Sequence, residues 1–250
     1  MCSSDLWTDR DPILFALAAG ARPDDLDLVF EDRLRVLPGF ALTLAQWAPD
    51  VLGSAGAWEV GTALHGAQSL TVLEPLPASG ELTMSARVTG VWDKGAAAVY
   101  DLAVESDHFV ATWSLFAPGR GGFGGERGPG RPAAPDGEPA WTASTATADN
   151  AALLYRLLGD RHHIHVDPAA AAGIGQPRPI LHGLATLAAA TLVAARETGA
   201  HPADLTQLEG RFASPVFPGE PLVVRGWADG ALEVATERGP AITAGRTVFD

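Results

Sequence analysis

The segment "HGLATLAAATLVAA" constrains this chain most. From Gly183 to Ala195 its side chains are small or apolar on every face of a helix. No face suits water, so the helix has to be enclosed by other elements. It is too short and too rich in alanine to span a bilayer, which takes about 20 apolar residues. A buried helix of this kind is wrapped by a sheet or by other helices, and the rest of the sequence supplies mainly strands.

Strand signals bounded by turn residues run through both halves. The first half offers "AQSLTVLEPLP", "GELTMSARVTGVWDKG", "AAAVYDLAVES" and "HFVATWSLFA". The second offers "WTASTATA", "QLEGRFASPV", "EPLVVRGWAD", "ALEVATERG" and "AITAGRTVF". Between them lies "PGRGGFGGERGPGRPAAPDGEP", residues 118–139, where Gly and Pro leave no apolar period. Its front, "GRGGFGG", lacks the GK[ST] ending of a phosphate loop. In the first half, "DLVFEDRLRVL" alternates up to Pro38, and Phe40, Leu44, Trp47 and Val51 follow with helical spacing. In the second, "NAALLYRLLGD" is amphipathic with Asp149 or Asn150 as its cap. Each half therefore reads as one long apolar helix plus four or five antiparallel strands. The expected fold class is α+β, a double hot dog, with halves at 1–117 and 140–250 joined by the linker at 118–139.

Composition limits the function. Of 250 residues, 47% are hydrophobic and 19% charged, enough apolar material for a sizeable core. A net charge of −13 without a basic run disfavours nucleic acid and anionic membranes as partners. The single cysteine, Cys2, allows no disulfide within the chain and fits a reducing, cytoplasmic setting. The start, "MCSSDLWTDRDP", is not patterned as a secretory signal.

The stretch "GDRHHIHVDP", residues 159–168, gathers three of the seven histidines with two aspartates. Three readings compete. As a metal site it lacks HExxH spacing, and the adjacent His162 and His163 point apart in regular backbone. As an acid–base pair, Asp160 and His165 can converge across a turn on one water. As plain structure, an aspartate caps a helix beside solvated histidines. For Asp167, followed by Pro168, the capping reading is preferred.

The longer run "YRLLGDRHHIHVDPAAAAGIGQPRPILHGLATL" resembles the signature of the MaoC-like, R-specific (type-2) enoyl-CoA hydratases. "LHGAQSLTVLEPLPASGEL", "VWDKG", "GGFGGERG" and "GRFASPVFPGEPL" extend the likeness, in order, to the hydratase portion of peroxisomal multifunctional β-oxidation enzymes. The resemblance implies a double hot dog, a homodimer, an acyl-CoA thioester as partner and no cofactor or metal. It implies a catalytic pair at Asp160 and His165, and a thioester-polarising backbone N–H at Gly183. It places substrate contacts on His65, Gly66, Lys94 and Phe212. Two departures stand out. His162-His163 replace the family's Asn-Pro, which makes His162 a substitute polar contact, and Leu158 replaces a small or hydroxyl residue. The implied reaction is hydration of trans-2-enoyl-CoA to (R)-3-hydroxyacyl-CoA. The alternatives are its reversal by a dehydratase of lipid or polyketide synthesis, and acyl-CoA binding with weak catalysis. The first half lacks a complete acid–base motif, so it is expected to house the acyl tail.

Overall fold

The computed structural model describes residues 1–58 and 61–250. The first half contains β1 (Cys2–Trp7), α1 (Arg10–Ala19), α2 (Leu26–Val29), α3 (Ala41–Leu44), α4 (Trp47–Ser54), β2 (Leu64–Val72), β3 (Gly80–Asp93), β4 (Ala97–Glu105) and β5 (Phe109–Pro118). The second contains β6 (Trp141–Ala146), α5 (Ala151–Tyr155), α6 (Pro168–Gly173), α7 (Gly183–Thr198), β7 (Leu205–Phe212), β8 (Pro221–Gly226), β9 (Ala231–Thr236) and β10 (Gly239–Phe249). Short 3-10 turns fill several of the connections.

Alternation makes the strands half-buried. In β5 the residues Phe109, Ala111, Trp113, Leu115 and Ala117 point inward in turn, as a period of two requires. The strands pair antiparallel in the order β1-β3-β4-β5-β2-β7-β10-β9-β8-β6. Each half contributes five neighbouring strands. The halves meet at β2 and β7, where Leu70 stands opposite Leu208. The result is the expected double hot dog, a continuous sheet with helices against it. Among the described residues, no helix is long and apolar enough to cross a membrane.

The α7 helix behaves as its sequence demands. Every residue from Leu184 to Ala195 is buried, and Gly199 ends the helix in the left-handed conformation. Its small side chains permit close approach of the sheet. A Cβ added to Gly210 of β7 would already lie 3.0 Å from a Leu187 methyl.

The first half corrects the expectation of a matching long helix. The stretch after Pro38 breaks into a 3-10 turn, α3 and α4. Pro49 explains the break. It has no N–H to give the Ala45 carbonyl, and its ring clashes with that carbonyl, four residues back. The chain tightens instead, with the Ala48 N–H donating to the Ala45 carbonyl at 3.2 Å. "DLVFEDRLRVL" also forms no strand. It folds into α2 and a 3-10 turn. Two of its charges are held by the second half, Arg35 by Asp204 and Asp27 by His201 at 2.7 Å. The polar start supplies two further elements that its sequence did not announce, β1 along β3 and the helix α1.

Leu187 is fully buried at the contact between α7 and β7. Leu187→Ala is expected to cost about 2–5 kcal/mol through lost burial and a residual cavity. The urea midpoint should fall with an unchanged slope.

Candidate active site

The sequence Leu158-Gly159-Asp160 turns sharply where α5 and its 3-10 extension end. Gly159 takes φ +130°, a conformation that side-chain-bearing residues rarely adopt. Asp160 follows, and its Oδ1 accepts the His162 N–H at 3.1 Å, a local turn typical of aspartate. The next 3-10 turn, His163–His165, points His165 inward. A second segment, 180–183, is stitched to this loop. The Ile180 N–H donates to the Ile164 carbonyl at 3.1 Å, and His165 Nδ1 lies 2.8 Å from the Ile180 carbonyl. Only Nδ1–H can serve that bond, so His165 Nε2 carries the free lone pair.

His165 Nε2 stands 3.9 Å from Asp160 Oδ2. This exceeds a hydrogen bond, yet one water fits within reach of both atoms. Burial pushes His165 below the ordinary histidine value, against the opposing pull of the Asp160 charge. The ring is therefore neutral and able to accept a proton near pH 7.

Both side chains line a cavity of about 780 Å³ that spans the two halves. Gly183, first residue of α7, lies on the same wall. Its N–H has no acceptor within the helix and sits at the positive end of the helix dipole. Glycine is required there, because a Cβ would lie 2.8 Å from the Phe212 ring. Phe212 packs edge-on against His65 at 4.7 Å. His65 enters the cavity wall where β2 bulges between His65 and Ala67. Burial drives its pKa down to about 4, and its Nε2 has no hydrogen-bond partner among the described residues.

The structure thus brings together Asp160, His162, His165, Gly183, His65 and Phe212. Gly66 sits in the bulge itself, behind this wall, its Cβ position 3.2 Å from the Ser114 carbonyl. Lys94 is not brought to the cavity. Its ammonium donates to the Arg127 carbonyl and lies 3.5 Å from that of Pro129. Beside it, Asp93 accepts N–H groups from Gly95, Gly122 and Gly124, which ties the Gly-rich linker to the β3–β4 hairpin. Asp167 caps α6 through the Ala169 N–H, at 2.8 Å, with Pro168 at the first helical position. Asn150 takes the cap position of α5 without a side-chain bond.

Three lining residues escaped the sequence reading. His182 precedes Gly183, and its ring lies face to face with His165 at 3.6 Å and 22°. Tyr155 packs against His182, with ring centroids 4.7 Å apart. Asp50, from α4, looks into the cavity from the first half. Burial and the nearby Asp160 charge raise its carboxyl pKa. His182 and Tyr155 stand within the run "YRLLGDRHH…ILHG", so a signal existed; Asp50 carried none.

Asp160, His165 and His182 also gather ligand atoms within 4.8 Å of one another. Imidazole lone pairs lie in the ring plane, and these planes are nearly parallel. They do not converge on a point 2.0–2.1 Å from both nitrogens, as zinc would need. His165 Nδ1 is moreover committed to Ile180. The arrangement suits proton transfer to and from a water better than coordination.

Known proteins resemble the chain over both halves. The family model "MaoC like domain" matches residues 132–246, and "MFE-2 hydratase 2 N-terminal domain" matches residues 6–114. The chain is 37% identical to Enoyl-CoA hydratase ChsH3 of Mycobacterium tuberculosis, over 94% of this chain and 88% of that protein. It is also 37% identical to 3-hydroxyacyl-thioester dehydratase Y of the same organism, over 88% and 82%. The crystal structure of a MaoC-like dehydratase from Phytophthora capsici superposes with a TM-score of 0.88 at 25% identity, covering 100% of this chain and 95% of that one.

Buried neutral histidines make stability depend on pH. With folded values below 6.5, the unfolded chain takes up protons first as pH falls. Stability is expected to hold above pH 6.5 and to decline from there toward about pH 4. His65→Gln should flatten part of that slope in denaturant titrations run across the range.

Proposed function

The chain belongs to the MaoC-like hydratase family, and from that premise we propose that it adds water across the double bond of a trans-2-enoyl-CoA to give the (R)-3-hydroxyacyl-CoA. The observation that carries this reading is the 3.9 Å gap between Asp160 Oδ2 and His165 Nε2, facing one cavity with the Gly183 N–H.

The thioester carbonyl lies on the Gly183 N–H, and the enoyl β-carbon lies at the gap. A water held by Asp160 and His165 attacks C3 and yields its proton to the pair. The C2–C3 π electrons shift, so that negative charge collects on the thioester oxygen. The helix terminus meets that charge; one such donor is typically worth about 3–4 kcal/mol. The proton then returns from the pair to C2. The sum is one water added, with nothing oxidised or reduced. The thioester itself accepts the charge, so the proposal includes no cofactor and no metal. The reverse reaction, dehydration of an (R)-3-hydroxyacyl thioester, uses the same groups by microscopic reversibility. A homodimer, read by light scattering, completes the proposal.

The acyl tail runs toward the first half. There the broken helix leaves Pro49 and Gly53 on the cavity wall with Leu64, Trp113 and Leu115 of the sheet. This supports a tail longer than a few carbons.

Purified protein should bleach the enoyl-thioester absorbance of trans-2-enoyl-CoAs, with chiral analysis returning the (R)-alcohol. Asp160→Ala and His165→Ala should each lower kcat about 10²–10⁴-fold, the range general acid–base groups contribute, while circular dichroism stays unchanged. Unaltered turnover in both variants overturns the assignment. The acidic limb of kcat/KM should fall below pH 6.5, because burial depresses His165. Ligand-induced stabilisation without turnover would instead favour an acyl-CoA-binding subunit.

A further inference from the structure

His182 belongs to none of the roles assigned above, yet it touches every part of the water-activating machinery. Its ring lies 3.6 Å from that of His165, tilted by 22°. Its Nε2 is 3.1 Å from the main-chain carbonyl of Asp160. It is bonded to Gly183, and its own carbonyl accepts the Thr186 N–H at 3.1 Å in the first turn of α7. Only 2% of the residue is exposed. Its Nδ1 has no partner among the described residues. The ring orientation therefore rests on the Nε2 bond, the stack with His165 and the contact with the Tyr155 ring.

We propose that His182 is the positioning residue of the site: a neutral imidazole, protonated on Nε2, that fixes the Asp160 main chain and the plane of His165 together and keeps water off the covered face of His165. This rests on Asp160 and His165 being the water-activating pair. The tautomer follows from the acceptor, since a carbonyl can only be met by Nε2–H. Two imidazoles stacked this closely do not both take a second proton and become cations, because like charges at such range repel. Their surroundings decide which one does. His165 faces the Asp160 carboxylate across the gap, with the His162 ring 6.4 Å away. His182 also feels the Asp160 charge, but it is the more deeply buried of the two, 2% exposed against 8% for His165, and the cationic Arg156 opposes its protonation. Asp50, from α4, adds negative charge on the Asp160 and His162 side. The proton taken from water thus resides on His165. The ring beneath stays neutral and presents a π face to the cation formed.

Two variants separate the two contacts. His182→Asn keeps an amide donor for the Asp160 carbonyl and removes the stacked ring. His182→Phe keeps a stacked ring and removes the donor. With trans-2-enoyl-CoA as substrate, His182→Phe should lower kcat by about 10²-fold through misplacement of Asp160. KM should change less than about threefold and the acidic limb of kcat/KM should stay in place. His182→Asn should move that limb to higher pH, because water reaching His165 relieves its burial. NMR titration of the His165 ring in wild type and His182→Asn reads the same shift without any turnover. This keeps the proposal testable should the wild-type protein hydrate no enoyl-CoA. Near-wild-type kcat in His182→Phe, or an unmoved His165 titration in folded His182→Asn, overturns it.

Discussion

The burial of α7 on all its faces governs the rest of the molecule. A helix made of Ala, Leu, Thr and Val has nowhere to meet water, so the sheet must close around it and bring strands of the second half against its small side chains. Because the helix is enclosed, its first turn opens into the interior rather than into solvent. There its unpaired N–H groups act in a low dielectric, where a dipole counts for more than at a surface. The loop at 159–165 and the segment at 180–183 are then bonded to each other around that terminus. Packing comes first, and chemistry occupies the place where packing leaves backbone donors unanswered.

Period and composition carried much of this in the sequence. Among the described residues, nine of the ten strands stand where alternation put them, β1 excepted, and α7 begins at Gly183 as its apolar run suggested. Asp160 and His165, five residues apart in sequence, do face each other. Residue pattern alone left them undecided between an acid–base pair and plain structure, and the family resemblance tipped the balance. Asp167 caps its helix because Asp-Pro is a local signal that needs no tertiary context.

What the sequence concealed depends on contacts between distant segments. The stack of His182 on His165 joins residues 17 positions apart, and no spacing rule encodes two facing rings. Lys94 appeared available because its charge is local information, whereas the carbonyls that hold it arrive from the linker more than thirty residues on. The break before α4 was written in Pro49, but the helical spacing of Phe40, Leu44, Trp47 and Val51 outweighed it. A period read over four apolar positions ignores one missing N–H.

That break makes the two halves unequal partners. The second half keeps its helix whole and so keeps a fixed electrostatic terminus. The first half has no such helix, and Pro49 and Gly53 of α4 stand on the cavity wall instead. Gln46 and Ser54 stand on the cavity side of α4 outside the 159–165 loop, whereas Asp50 between them also acts on Asp160 through its charge. A two-part architecture is thus asymmetric: one half carries the Asp160–His165 loop and the buried helix terminus, and the other lines the cavity with its broken helix.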